Sequence, residues 1–169
     1  IFSATTINAY TATNVAGSAN SNNKFYSNTI NNSHVGVYMV GSSTAATGGN
    51  QPANADFGND VGGSTLATGN TIVNFGGGVG AGTPIQTFGV YTKGQWGANV
   101  SFNTINSNNG SGVNHGNNVS GIWMDAAPGS NTSVNNNNIS VTTSLATGIL
   151  YGINNIAGNI STGTTNVVI

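Results

Sequence analysis

The side chains of this chain that ordinarily carry charge near neutral pH are few enough to be named one by one. They are Lys24, Lys93, Asp56, Asp60, Asp125, His34 and His115, with no Arg and no Glu. Hydrolysis of a glycosidic bond needs two carboxyl groups flanking that bond. Only Asp56 and Asp60 lie close together in sequence, within a polar stretch where turn-capping is the simpler interpretation. The sequence therefore predicts no catalytic residues and a chain that is not an enzyme, with a polysaccharide lyase or hydrolase as the alternative.

Asp56 and Asp60 are also the only calcium candidates. The segment from Asp56 to Asp60 shares Gly58 and Asp60 with calcium-binding nonapeptide repeats, but it occurs once, whereas such sites need consecutive copies. One or two carboxylates with backbone carbonyls bind calcium weakly. We predict no cofactor, with Asp56 and Asp60 as weak calcium candidates.

The two histidines lie far apart in segments rich in Asn, Ser and Gly. A metal site requires histidines that come together with further ligands. We interpret His34 and His115 as separate loop side chains, either solvated or hydrogen-bonded to amides. The glycine-rich segment 76–82 is interpreted as a flexible turn, because neither a helix nor a Gly-Lys-Ser/Thr sequence follows it as in a phosphate-binding loop.

The overall charge excludes two classes of partner. Charged residues make up 3% of the 169 residues, against about 25% in ordinary globular domains. Two lysines cannot neutralise a run of phosphates, so nucleic-acid binding lacks its main source of energy. No basic face and no apolar run of membrane-spanning length is present, so membrane insertion is not predicted either.

Aromatic residues supply the remaining candidate binding groups. Trp123 belongs to a Gly-Ile-Trp-Met unit, and Tyr38 and Tyr91 occupy the same place in Gly-Val-Tyr units. If these rings point outward, they form with Trp96 an aromatic stripe that can stack on sugar rings. The alternative is that this face packs beneath long loops.

The sequence contains a repeated pattern that predicts the fold in which these candidate residues lie. Segments that end in Asn-x-Ile recur with their isoleucines at positions 30, 72, 105 and 139, and Gly-apolar-aromatic units fall between them. Short runs of Val, Ile, Thr and aromatic residues bounded by Gly and Asn indicate strands, and no segment has helical spacing of apolar residues. The isoleucines are separated by 42, 33 and 34 residues, and repeats of this length predict a solenoid. We predict an all-β parallel β-helix of about five coils, a single domain over residues 1–169 with a long loop at 41–65.

The asparagines of these repeats have a structural interpretation. The apolar positions before and after Asn103 cannot face one side of a single straight strand, so a bend at Asn103 is predicted. When coils stack, equivalent asparagines lie above one another and their amides can form a hydrogen-bonded ladder. The predicted ladder contains Asn28, Asn70, Asn103 and Asn137.

The alternation of Gly-[Val/Ile]-[Tyr/Trp] with Val-x-x-Asn-x-Ile resembles the right-handed parallel β-helix repeat of pectate-lyase-like and copper-maturation (NosD-type) proteins. The stretch from Gly58 to Gly76 is similar to repeats in very large secreted proteins of Gram-negative bacteria that use type IX secretion and a C-terminal sorting domain. The resemblance implies a secreted or cell-surface bacterial protein, of which this chain is expected to be a fragment.

The expected function is therefore structural. We expect a non-catalytic, adhesin-type shaft that is extracellular or at the cell surface. Its expected partners are the remainder of a longer polypeptide, glycans or a host or cell surface, and the secretion machinery. The alternative is a carbohydrate-binding or polysaccharide-processing module that uses the aromatic stripe and the loops.

Overall fold

The computed structural model describes residues 19–41, 55–77, 85–110, 112, 115–125, 130–157 and 166–168. Within these ranges no helix occurs, and every paired strand is parallel to its neighbours. The prediction of an all-β chain is confirmed for this part of the sequence. It contains no helix with the length and apolar character that crossing a bilayer requires.

The strands form four sheets, which we call A to D. Sheet A has the order β1 (Lys24–Phe25), β5 (Asp60–Val61), β9 (Asn99–Ser101), β12 (Asn131–Asn135) and β15 (Asn166–Val168). Sheet B consists of β2 (Thr29–Asn31), β6 (Thr71–Val73), β10 (Thr104–Asn106) and β13 (Asn138–Ser140). Sheet C consists of β3 (Val37–Val40), β7 (Thr87–Lys93), β11 (Val119–Met124) and β14 (Leu150–Asn155), and sheet D pairs β4 (Asp56–Phe57) with β8 (Gln95–Trp96).

The chain visits these sheets in a fixed order. It passes through A, B and C four times, and sheet D receives a strand between C and A after each of the first two passages. Each strand pairs with the equivalent strand of the next passage, so equivalent residues lie side by side. The paired residues of sheets A, B and C thereby form columns of equivalent side chains.

The apolar columns form the core. The four repeat isoleucines pair in sheet B, and Ile72 and Ile105 in the middle of that column are fully buried. They pack in one cluster with Val100 of sheet A and Ile122 of sheet C. The interior is therefore built from the inward-facing residues of three parallel sheets, which is where the hydrophobic stabilisation arises.

The corner between sheets A and B differs in one detail from the sequence prediction. We placed the bend at the repeat asparagine, but the left-handed residue is the one before it: Ser27, Phe102 and Asn136 have φ of 54°, 61° and 53°. The asparagine side chain turns inward, where Asn103 is buried. The bend therefore aims the amide into the column, and a residue as bulky as Phe102 is held in a conformation that such residues rarely adopt.

The predicted long loop at 41–65 is wrong for its second half. Asp56–Phe57 pairs with sheet D, and Asp60–Val61 pairs with both of its neighbours in sheet A. Val61 is fully buried, which fixes this segment against the core. Residues 42–54 of the predicted loop lie outside the described residues.

Candidate functional site

The outer face of sheet C brings together three of the predicted stripe residues. Tyr38, Tyr91 and Trp123 are paired in register on β3, β7 and β11. Their strand neighbours, such as Val37 and Ile122, are buried in the core, so alternation directs the three rings to the opposite face.

Two further rings complete a continuous aromatic row. We define the aromatic row as Tyr38, Tyr91, Phe88, Trp123 and Tyr151. Tyr38 stacks on Tyr91 with ring centroids 4.5 Å apart and planes 8° apart. Phe88 contacts Tyr91 at 4.9 Å and Trp123 at 5.5 Å, and Trp123 meets Tyr151 edge-on at 5.8 Å. Offset stacking and edge-to-face contacts of this kind stabilise one another beyond simple burial.

Exposure along the row is uneven. Tyr38 is 40% exposed, whereas Tyr91 is 8% exposed. Trp123 is half-buried, and its indole Nε1 is buried without a hydrogen-bond partner. The accessible part of the row is therefore a set of ring faces and edges, with Tyr38 as its most open member.

An ionic group borders this row. The hydroxyl of Tyr91 donates a hydrogen bond of 2.6 Å to Oδ2 of Asp125, and Nζ of Lys93 lies 3.1 Å from the same oxygen. Burial, followed by the hydrogen bond to Asp125, raises the pKa of Tyr91 well above its usual value. Tyr91 is therefore a neutral donor at physiological pH, and the carboxylate is held beside the rings.

Trp96 does not belong to the row, and its inclusion in the predicted stripe is wrong. It lies on β8 in sheet D, where it pairs with Phe57, and it is 6% exposed. Together with Asn131 these two residues line a cleft of about 280 Å³. Trp96 lies elsewhere because the chain turns at Gly94, whose φ is 62°, after β7 and then enters sheet D at Gln95.

The two calcium candidates are engaged by donors from the protein. Asp56 accepts from the backbone N of Asn20 at 2.8 Å and from Nε2 of Gln95 at 3.3 Å. Asp60 accepts from Nδ2 of Asn99 at 2.7 Å and from the hydroxyl of Tyr26. In the described ranges no three His, Cys, Asp or Glu side chains group closely enough to hold a metal ion.

The hydrogen bond from Tyr26 also shows how Asp60 is used. This bond, followed by burial and the negative charge of Asp60, raises the pKa of Tyr26. Oδ1 of Asp60 accepts in addition from the backbone N of Gly63 at 2.9 Å. Asp60 on β5 thus links the first, second and third passages, which is a structural role.

The four predicted ladder asparagines form one line of hydrogen bonds. Nδ2 of Asn28 donates to Oδ1 of Asn70 at 3.0 Å, Nδ2 of Asn70 to Oδ1 of Asn103 at 2.9 Å, and Nδ2 of Asn103 to Oδ1 of Asn137 at 3.0 Å. All donors point the same way, so the amide dipoles reinforce one another. Asn70 and Asn103 in the middle of the ladder are buried, so their amides serve the contacts between passages.

A second line of amides was missed from the sequence. Nδ2 of Asn23 donates to Oδ1 of Asn59 at 3.0 Å, and Nδ2 of Asn59 donates to Oε1 of Gln95 at 2.7 Å. The third equivalent position is Ala98, so Gln95 on the preceding strand supplies the amide in its place. The equal spacing of Asn23 and Asn59 before Phe25 and Val61 was the available signal.

The histidines were also misjudged. We expected separate loop side chains, but the ring centroids of His34 and His115 lie 5.7 Å apart. His115 is 1% exposed and therefore not solvated. Burial, followed by the neighbouring ring of His115, lowers the pKa of His34. No sequence signal links two residues so far apart.

The chain matches no family model, no curated protein and no solved structure. The function of the chain is therefore inferred from the geometry of its own residues: the columns of repeated side chains, the aromatic row and the histidine pair.

Proposed function

We propose that this chain is a non-catalytic structural segment, a right-handed parallel β-helix that acts as the shaft of an adhesin-type protein outside the bacterial cell. The fixed order of sheets A, B and C and the register between passages support the β-helix, because a solenoid stacks equivalent strands in this way. The scarcity of charged side chains supports a role that does not require acid, base or nucleophilic catalysis by such groups.

One observation in particular supports the proposed structural role. The repeated residue types point inward and contact their own equivalents: the asparagines bond to each other, and the isoleucines pair within sheet B. A repeat whose side chains are used in this way lengthens the molecule without presenting a site at each passage. The repeat is thus suited to setting the distance between other parts of a protein.

The proposed location and partners rest on the sequence resemblance described above. A type IX-secreted surface protein would meet the secretion machinery, the rest of a longer polypeptide and then glycans or a host surface. A surface dominated by Asn, Ser, Thr and Gly agrees with this, because it is hydrated without charge and presents no basic face.

The location can be measured with antibodies raised against this chain. We expect them to label intact, unpermeabilised cells of the source bacterium, and we expect added protease to remove the label. A cytoplasmic protein serves as the control and should be labelled only after permeabilisation. Labelling of this chain that also requires permeabilisation would rule out an extracellular shaft.

A second function, carbohydrate binding, is favoured by the aromatic row. Five rings in continuous contact, with Tyr38 40% exposed and Asp125 beside them, combine the flat apolar faces and hydrogen-bonding groups that sugars require. In this reading the shaft itself adheres through sheet C.

A glycan array with matched variants tests the second function. Tyr38→Ala removes the open ring of the row, and we expect it to weaken binding at least about tenfold, because ring stacking supplies on the order of 1.5 kcal/mol. Phe57→Ala is the control, since Phe57 is 42% exposed but lies in sheet D. If the wild-type chain binds no glycan, or if both variants lose binding equally, the aromatic row is not a sugar site.

A further inference from the structure

Three successive connections between sheets B and C meet at one place. His34 lies in the connection of the first passage, Gly77 and Ile85 in that of the second, and His115 in that of the third. Ring nitrogens of His115 face the carbonyl oxygens of Gly77 at 3.2 Å and Ile85 at 2.6 Å. We call His34, His115 and these two carbonyls the histidine corner.

The two rings meet across an intervening passage. Neighbouring strands are about 4.8 Å apart, so residues two passages apart would ordinarily be separated by roughly 10 Å. The centroid distance of 5.7 Å is possible because glycines occupy the passage between them. A Cβ at Gly76 would lie 3.1 Å from Cβ and Cγ of His115, and the φ of Gly76 is +99°. Gly76, the first residue of the glycine-rich segment, thus leaves room for the ring of His115 to approach His34.

The hydrogen bonding of His115 leaves one nitrogen without a suitable partner. A neutral imidazole has one N–H donor and one lone pair. We assign the proton to Nε2, because Nε2 makes the shorter contact, to the Ile85 carbonyl. The lone pair of Nδ1 then faces the lone pairs of the Gly77 carbonyl. Two acceptors that face each other are unfavourable unless a proton or a cation lies between or beside them.

His34 contributes unpartnered atoms at the same corner. Nδ1 and Nε2 of His34 and Oγ of Ser33 are all buried and make no hydrogen bond. Each buried polar atom left in this state costs about 1–3 kcal/mol. Three such atoms in two consecutive residues beside a second imidazole are unusual in a folded protein.

We propose that the histidine corner binds one divalent first-row transition-metal ion, with zinc as the representative, through a ring nitrogen of His34 and Nδ1 of His115. Two imidazoles on one zinc at 2.0–2.1 Å place their ring centroids roughly 5–6 Å apart, which agrees with the observed 5.7 Å. The Gly77 carbonyl, 3.2 Å from Nδ1, is at the separation of two ligands on one tetrahedral ion. Water or Ser33 completes the coordination.

The surroundings hold both ligands in place. The hydroxyl of Thr87 and the backbone N of Gly76 donate to the carbonyl oxygen of His34. The carbonyl oxygen of His115 accepts from the hydroxyl of Thr143 at 2.7 Å. The contact from Nε2 of His115 to the Ile85 carbonyl is the outer hydrogen bond that orients most metal-bound histidines. The ion would join three passages and stabilise the corner.

Calorimetric titration of a tag-free, chelator-treated chain with zinc chloride tests this proposal. We expect one zinc ion per chain and a higher melting temperature in saturating zinc. His34→Gln and His115→Gln should each weaken binding at least about tenfold. His34→Gln is the decisive variant, because His34 is only half-buried and its loss should leave the metal-free melting temperature near that of the wild type.

Imidazole nitrogen NMR gives an independent readout, since the chain has two histidines. Zinc should shift the signals of both rings at the same molar ratio. The proposal is overturned if no saturable binding occurs, if His34→Gln binds zinc as tightly as the wild type, or if zinc shifts only one ring.

Discussion

Replacing Gly89 with alanine should lower the free energy of unfolding by about 3 kcal/mol, although it adds a single methyl group. A Cβ at Gly89 would lie 2.4 Å from Cγ2 of Ile105 and 2.6 Å from the carbonyl oxygen of Gly121. Both are far inside contact distance, and neither can move freely, because Ile105 is fully buried and Gly121 is strand backbone. Relief would require sheets B and C to separate, which opens the core along its length.

The effect is steric, and one column supplies its own control. One glycine precedes each of Val37, Val90, Ile122 and Ile153, and the register of sheet C places these glycines in one column. In this column Gly89 lies between Gly36 and Gly121, and Gly152 lies at the end. A Cβ at Gly152 would meet no atom within 4 Å. We expect Gly152→Ala to be neutral or to stabilise by up to about 1 kcal/mol, because it restricts the unfolded chain.

Urea unfolding monitored by circular dichroism compares the two variants directly. The expected result is a large fall in midpoint for Gly89→Ala and none for Gly152→Ala. Equal midpoints for the two variants would mean that sheets B and C are not packed as closely as this column requires, and the proposed shaft would lose its tightest contact.

This glycine column also shows what could be predicted from the sequence. The Asn-x-Ile and Gly-apolar-aromatic units identified the columns, because a parallel register repeats the same contact at every passage. What the sequence could not show is that the two units contact each other. Ile72 packs against Gly36 of the preceding passage, and Ile105 packs against Gly89 in the same way.

Contacts that do not recur from passage to passage could not be predicted from the sequence. In the part of the chain that the structure describes, sheet D has two strands, so Trp96 belongs to no repeated column there and was assigned to the wrong face. The second line of amides is interrupted at Ala98, where Gln95 substitutes from another strand. A periodic pattern predicts only those contacts that recur with the same residue type.

The histidine corner could not be predicted from the sequence for a different reason. His34 and His115 belong to different passages, and their approach depends on the missing side chain of Gly76. Neither histidine recurs at the equivalent position of a neighbouring passage, so no spacing marked them. Sites that form across passages depend on three-dimensional stacking, and only the register of the strands reveals them.

Asn103→Leu should cost about 4 kcal/mol of the free energy of unfolding. Asn103 is 1% exposed, and its side-chain oxygen accepts two hydrogen bonds while its side-chain nitrogen donates two. Oδ1 accepts from N and Nδ2 of Asn70, while Nδ2 donates to the carbonyl of Val61 and to Oδ1 of Asn137. Leucine has a similar size but leaves these buried groups without partners.

Asn28→Leu is the matched control for this loss, because Asn28 is exposed at the end of the ladder and its side chain donates one hydrogen bond, to Asn70. We expect it to cost less than about 1 kcal/mol. Asn103→Asp separates hydrogen bonding from shape: it keeps the two acceptances from Asn70 but places a carboxylate against the Val61 carbonyl and Oδ1 of Asn137. Acceptors facing acceptors in a buried column should cost at least as much as leucine does. If urea unfolding finds Asn103→Asp as stable as the wild type, the ladder is not what holds the passages together.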